Sequence, residues 1–159
     1  MFTIRLRESF ESRLLRWRFS FFPCYRRTGA KIRYVSPDKR RVDVTLPLNW
    51  KTKGYFGVTF GGSVYGASDP VLMVMFNLLL TDRAKVWDKS AAIEFLRPGK
   101  SELKTTFLIT DETMADVIDS LRECKSFERT FDVLWYDERE RLCAKVHKTL
   151  HFRRTDLTR

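Results

Sequence analysis

The sequence has little of what marks secreted, membrane-spanning or disulfide-stabilised proteins. Its 159 residues include three cysteines, an odd number without paired spacing, which favours free thiols in a reducing compartment. The longest apolar run, residues 71–80, is about half of the ~20 residues that span a bilayer. Arginines interrupt the apolar residues near the N-terminus, so this segment lacks the pattern of a signal peptide. We therefore expect a cytoplasmic protein.

Sequence patterns of the common metal and nucleophile chemistries are missing too. The two histidines, His147 and His151, stand near the C-terminus without cysteines or acids at metal-ligand spacing. The sequence shows no Ser-His-Asp arrangement, phosphate-binding loop or dinucleotide-binding glycine pattern. We therefore expect neither a metal nor a redox cofactor.

Positive charge is plentiful but unevenly distributed. The chain carries a formal net charge of +10. Residues 1–53 contain fourteen Lys or Arg and four acids, whereas residues 54–159 contain sixteen of each. The excess therefore belongs to the N-terminal third, where it favours an anionic partner such as coenzyme A phosphates, lipid headgroups or nucleic acid. A solvated basic surface that aids solubility is an equally good interpretation.

The sequence pattern of residues 1–27 predicts an amphipathic helical extension at the N-terminus. Four apolar side chains recur at i, i+4, i+7 and i+11, and we call them the apolar stripe: Phe10, Leu14, Trp17 and Phe21. Arginines occupy much of the other side of this predicted helix. The stripe could lie on the protein's own sheet, at an anionic membrane surface or at a substrate entrance. We favour packing on the protein's own domain, with peripheral membrane contact through residues 1–27 as the alternative.

Apolar periodicity predicts the rest of the fold. Six segments have the alternation of strands: residues 31–34, 42–46, 85–97, 102–110, 129–136 and 141–152. The apolar run 71–80 follows the second strand, and a shorter helix begins at Thr110 or Asp111. A mostly antiparallel sheet curled around one apolar helix would bury that helix on nearly all sides. We therefore predict an α+β fold in a single domain, residues 1–159.

Residues 57–70 carry the clearest chemical signal. The pair Gly61-Gly62 precedes the apolar run, and Asp69 follows Gly61 by eight residues. A helix that begins at Gly61 would offer free N–H groups at its positive end. Asp69 would lie about two turns further along, near the same face. An N–H that polarises a carbonyl and a carboxylate that reaches its carbon are the requirements of acyl hydrolysis.

Asp69 also has a purely structural interpretation. Ser68-Asp69-Pro70 is a good helix start, with Ser68 or Asp69 as N-cap and Pro70 in the first turn. Read without its neighbours, this capping role is the stronger interpretation. The glycine pair at its particular spacing moves the balance toward a functional role.

The spacing resembles the signature of hotdog-fold acyl-CoA thioesterases, particularly the phenylacetyl-CoA type. That signature is His-Gly-Gly followed by an acid nine residues after the histidine. Here Phe60 stands at the histidine position and Asp69 at the acid position, with Gly61 and Gly62 as the glycine pair. Residues 87–99 also resemble the strand and turn that follow the central helix. The similarity covers roughly residues 28–154.

This resemblance implies a hotdog fold, with a sheet of about six strands, and hydrolysis of acyl-CoA or a related thioester. It implies that the Gly61 N–H binds the thioester carbonyl and that Asp69 acts from the facing subunit of a homodimer or dimer of dimers. Coenzyme A would then enter as part of the substrate. Four residues are candidates for substrate binding: Phe60, Gly62, Ser63 and Ser90.

Several alternatives remain open at this point. Ser63 and Ser90 could orient a water or a thioester oxygen, or they could be ordinary helix and strand serines. Phe60 in place of histidine, and Gly54 where many relatives carry asparagine, favour a non-catalytic hotdog protein that binds acyl-CoA or lipid. Among the partners that the basic N-terminal third could attract, we expect no nucleic acid.

Overall fold

The computed structural model describes residues 7–155, which form five helices and a six-stranded antiparallel sheet. The elements in chain order are α1 Phe10–Phe21, α2 Pro23–Arg27, β1 Lys31–Val35, β2 Arg41–Leu46, α3 Gly61–Ser68, α4 Val71–Leu80, β3 Ala84–Phe95, β4 Leu103–Leu108, α5 Asp111–Glu123, β5 Ser126–Tyr136 and β6 Leu142–Arg154. This order confirms the predicted α+β fold.

The sheet has the strand order β1-β2-β4-β5-β6-β3. Strands β5 and β6 form a long hairpin, and β3 pairs with the other side of β6 over almost its whole length. Strand β3 is therefore one edge of the sheet and β1 is the other. The β3–β6 register shifts between Asp88 and Ser90, which marks a bulge in the edge strand.

Helices α3 and α4 form one apolar rod that the sheet wraps. Gly61–Leu80 is long and apolar enough to cross a membrane, but half of its most apolar window is buried inside the protein. Phe76 of α4 is fully buried and packs against the ring of Phe152 at a centroid distance of 5.0 Å. Its place in the core explains the apolar character of the buried half. Leu78 is 42% exposed, so the expectation that the sheet buries this helix on nearly all sides is met only in part.

The rod is interrupted at Asp69-Pro70, because Pro70 has no N–H to donate to the Gly66 carbonyl. Side chains from elsewhere hold this interruption. The Tyr25 hydroxyl donates to the Ala67 carbonyl at 3.3 Å, and the buried Trp135 indole donates to the Ser68 hydroxyl at 2.9 Å. The break in the rod is therefore fixed by hydrogen bonds inside the core.

The shorter helix α5 begins as predicted, with Thr110 as its N-cap. The Thr110 hydroxyl accepts a hydrogen bond from the Thr113 N–H at 3.1 Å. Met114, Val117 and Leu121 form the buried face of this helix, which contacts β5 and β6.

Helix α1 packs on the protein through the face opposite to the apolar stripe, whereas we expected the stripe itself to make this contact. Its contact with β1 is made by the side containing Ser12, whose buried hydroxyl donates to the Ser36 carbonyl at 2.9 Å, and by Leu15 and Phe19. The apolar stripe instead faces solvent, with exposed fractions of 79% for Phe10 and 59% for Trp17. The expectation that the stripe packs on the protein's own domain is therefore wrong. Leu15 and Phe19, on the opposite face of α1, pack against the core instead of the stripe.

Candidate active site

The start of α3 presents two backbone N–H groups in the way that the sequence predicted. Gly61 begins the helix, and the preceding loop is tied down because the Phe60 N–H donates to the Thr52 carbonyl at 2.8 Å. Ser63 donates its N–H to the Phe60 carbonyl, whereas the N–H groups of Gly61 and Gly62 have no acceptor within the helix. These two amides lie at the positive end of the helix dipole, where a developing oxyanion is stabilised.

Both glycines are in close contact with aromatic rings. A Cβ atom at Gly61 would lie 2.6 Å from the Phe95 ring, and one at Gly62 would lie 2.4 Å from the Phe60 ring. Such distances are well below van der Waals contact, so any side chain at Gly61 must push Phe95 away. Phe95 is 58% exposed and has room to move outward.

A pocket of about 370 Å³ opens beside Gly61. Its walls are mostly apolar and come from the loop before α3, the first turns of α3, the end of β3, the start of β4 and the start of β6. They include Val58, Val64, Phe95, Leu103 and Ala144. Arg97 supplies a cation among the lining residues. The volume lies within the usual range for small-ligand sites, and the walls suit an acyl chain.

Asp69 is bound to a buried lysine. Lys148 of β6 donates from Nζ to Asp69 Oδ1 at 2.6 Å, and its Nζ also lies 3.1 Å from Asp88 Oδ1. The Lys148 side chain is 1% exposed, whereas that of Asp69 is 45% exposed. One buried cation therefore holds two carboxylates, of which Asp69 keeps a face open to solvent.

Asp69 does not serve as the side-chain N-cap of α4. The residue has helical backbone angles at the end of α3, and no side chain caps the start of α4. The Ser68 hydroxyl donates to the Val64 carbonyl at 2.9 Å instead of capping the next helix. The Asp69 backbone ends α3, with its N–H donating to the Tyr65 carbonyl at 3.0 Å, while its side chain caps no helix and is oriented by Lys148.

Asp88 contributes the second carboxylate from the bulge in β3. Burial raises the pKa of Asp88, and the neighbouring Lys148 ammonium acts against that rise. Its Oδ1 atom is buried and lies within ion-pair distance of Lys148, although the angle is not that of a hydrogen bond. The charge of Lys148 therefore compensates for the cost of burying Asp88.

The predicted site residues do not converge on one place within the chain. Gly61 lines the pocket, whereas Asp69 lies eight residues, or about 12 Å of helix, further along. Ser63 is buried in α3, and Ser90 is exposed at the β3 bulge. Phe60, half exposed, covers Gly62. Only Gly61, of the six predicted residues, lines the pocket.

Sequence reasoning missed Lys148. Alternate residues of β6 point into the core, and Lys148 is the one charged member of this buried series, which also includes Ala144, Val146, Leu150 and Phe152. A lysine inside an otherwise apolar strand face is a signal for a buried partner carboxylate. The partner itself could not be identified from the sequence, because 79 residues separate Lys148 from Asp69.

Comparison with known proteins agrees with this architecture. The family model described as Domain of unknown function (DUF4442) matches residues 12–152. The chain belongs to the DUF4442 family. No curated protein matches its sequence.

Solved structures similar to this DUF4442 protein include several thioesterases. One is PA5026 of Pseudomonas aeruginosa, a protein of unknown function named as a probable thioesterase, with a TM-score of 0.78 and 16% identity over 89% of this chain and 95% of that one. Another is thioesterase HI1161 of Haemophilus influenzae, with a TM-score of 0.67 and 15% identity over 98% of this chain and 100% of that one. These similarities show that the chain has the hotdog fold.

Proposed function

We propose that this DUF4442 protein is a thioesterase that hydrolyses acyl-CoA or a related acyl thioester at a site shared between two subunits. The observation that carries the proposal is Asp69, a half-exposed carboxylate that the buried Lys148 orients on the helix that Gly61 begins. The similarity to thioesterase structures supports the same class of reaction.

In the proposed reaction, the Gly61 N–H donates to the thioester carbonyl oxygen and polarises the carbonyl. Asp69 removes a proton from water, whose oxygen then attacks the carbonyl carbon, or it attacks that carbon itself. The C–S bond breaks, and the thiolate leaves and takes up a proton. Where Asp69 is the nucleophile, water then cleaves the acyl–Asp69 anhydride, which releases the carboxylic acid and restores the Asp69 carboxylate. This chemistry uses neither a metal nor a redox cofactor, and coenzyme A enters only as part of the substrate.

The distance between Gly61 and Asp69 supports a shared site. One thioester carbonyl cannot contact both residues of the same chain, because about 12 Å of helix separates them. Strand β3 has an unpaired edge, which a second copy of the chain could cover. A two-fold axis at this edge would bring Asp69 of one subunit toward Gly61 of the other.

We expect a dimer joined through the β3 edges, with the two central rods adjacent, either alone or within a dimer of dimers. Sedimentation at low micromolar concentration should therefore show no monomer. The expectation comes from the exposed edge and from the need for two chains in each site. A folded monomer that hydrolyses thioesters at the full rate would contradict both the assembly and the shared site.

The other candidate function is non-catalytic binding of acyl-CoA or lipid. It is favoured by Phe60, which is half exposed and covers Gly62. Phe60 stands at the histidine position of the thioesterase signature that this segment resembles. A screen of acyl-CoA substrates of increasing chain length separates the two functions, with thiol release reporting hydrolysis. Release of many equivalents of thiol for each equivalent of protein supports the thioesterase. Saturable binding of acyl-CoA without release at any chain length would support the binding protein.

A further inference from the structure

The apolar stripe of α1 is an unusually exposed hydrophobic surface. Its four side chains have exposed fractions of 79%, 46%, 59% and 53%, for Phe10, Leu14, Trp17 and Phe21 respectively. The next residue, Phe22, extends the surface and is 59% exposed. Contiguous apolar surface of this kind marks an interaction site more often than a solvated face.

The helix geometry places the stripe directly opposite the packed side of α1. At 3.6 residues per turn, the four stripe residues lie within a narrow arc, and Ser12 and Phe19 lie about 180° from its centre. Ser12 is fully buried and Phe19 packs on the core. The helix is therefore anchored by one face, and its apolar face is held outward in a fixed orientation.

Arginines border the stripe on both sides. Arg13 and Arg18 lie about 70° to either side of its centre and are exposed. Within residues 7–155 neither forms an ion pair, whereas Arg16, nearer the packed face, pairs with Glu8 at 3.1 Å. Exposed Arg26 in α2 places its guanidinium 5.9 Å from the Phe21 ring. An apolar strip between unpaired cations is the pattern of a helix that lies at an anionic lipid surface.

The proposed dimer would leave this surface free. Helix α1 contacts β1, which is the edge strand at the opposite end of the sheet from β3. Pairing of two subunits through β3 therefore does not cover the stripe. A partner other than the second subunit is needed to remove these side chains from water.

We infer that the α1–α2 surface binds the face of an anionic bilayer, with the apolar stripe in the headgroup region and Arg13, Arg18 and Arg26 among the lipid phosphates. Burial of the aromatic side chains supplies affinity, and the arginines make binding depend on anionic lipid and on salt. The inference rests on exposure and charge alone and does not depend on the proposed hydrolysis.

Co-sedimentation of the full chain with vesicles tests the inference. Vesicles of phosphatidylcholine alone are compared with vesicles that also contain phosphatidylglycerol, at low and high salt. We expect binding to the anionic vesicles that salt weakens. The Trp17→Ser/Phe21→Ser variant should lose at least about tenfold in partitioning, and Arg13→Gln/Arg18→Gln should lose about tenfold on anionic vesicles.

A matched control changes two exposed aromatic residues elsewhere. Trp50 and Phe56 are 83% and 88% exposed in the loop before α3, and the Trp50→Ser/Phe56→Ser variant should bind like the wild type. Circular dichroism establishes that each variant is folded. Brominated lipid should quench the fluorescence of the wild type more strongly than that of Trp17→Phe, which retains the helix.

Three outcomes would overturn the inference. The first is the absence of wild-type binding to anionic vesicles at low salt. The second is equal binding by the stripe variant and the wild type. The third is a stripe variant that sediments as a smaller oligomer while no form of the protein binds vesicles, which would assign the stripe to a contact between copies of the chain.

Discussion

Asp69→Asn should lower the turnover of the best acyl-CoA substrate by about two to four powers of ten. The substitution keeps the volume of the side chain but removes the group that takes a proton from water or attacks the thioester. Lys148 keeps Asp88 as a partner 3.1 Å away, so the fold and the dimer should persist. The change should appear in kcat, because the carboxylate acts on the transition state rather than on binding of the acyl chain.

Asp82→Asn is the matched control for this variant. Asp82 is exposed in the turn between α4 and β3, so its substitution makes the same chemical change outside the site. We expect the control to retain wild-type turnover, with thiol release measured over a range of acyl-CoA concentrations. Turnover by Asp69→Asn at the wild-type rate, in a protein with unchanged melting and sedimentation, would remove Asp69 from the reaction.

Lys148→Met should destabilise the protein and also lower its turnover. Methionine can fill the buried space, but the change leaves Asp88 partly buried beside no cation. Removal of one partner from a buried ion pair costs about 3–5 kcal/mol. Because Asp69 is half exposed and can be solvated, we expect a loss of roughly 3 kcal/mol or less in the free energy of unfolding at neutral pH.

The pH dependence of this loss has a definite sign. Without Lys148, burial raises the pKa of Asp88 further above its ordinary value. An acid whose pKa is raised by folding costs nothing while it is protonated in both states. Its cost grows as pH rises from the unfolded-state pKa to the folded-state pKa and is constant above that. The stability gap between wild type and Lys148→Met should therefore be small in acid and widen toward neutral pH.

Two companion variants make the Lys148 result specific. Lys145→Met removes a lysine on the solvent side of β6 that pairs with Asp132 at 3.0 Å, and it should cost less than about 1 kcal/mol. Lys148→Met/Asp88→Asn should recover stability because it removes the uncompensated carboxylate, yet turnover should stay low because Asp69 is no longer oriented. Lys148→Met with wild-type stability and turnover would contradict the role given to Lys148.

The fold was predictable because its signals are periodic. Alternation along β6 and the apolar run of α4, which only Asn77 interrupts, each depend on burial, and the sequence pattern records burial directly. The start of α3 at Gly61 was predictable for a similar reason, since a glycine pair before an apolar run favours a helix start. These features need only short-range information.

The long-range contacts of the site were not predictable in the same way. The spacing of Asp69 from Gly61 singled out the carboxylate, but its partner Lys148 comes from a strand near the other end of the chain. The outward orientation of the apolar stripe was missed for a related reason. Both faces of α1 carry apolar residues, and the choice between them depends on which face fits β1.

Formation of a mixed dimer from two inactive chains tests the shared site most directly. Asp69→Asn and Gly61→Val chains are co-expressed with different tags, and the heterodimer is isolated by two affinity steps. Valine at Gly61 displaces the Phe95 ring and puts side-chain atoms into the pocket that both residues line, where they block the approach of the thioester carbonyl to the helix start. Neither parent dimer should therefore turn over substrate. In the heterodimer, one site combines a normal Gly61 with a normal Asp69 from the other chain. The account predicts about half of wild-type activity for this heterodimer, because one of its two sites is intact. Activity no greater than that of the parents would show that the two residues do not act across a subunit interface.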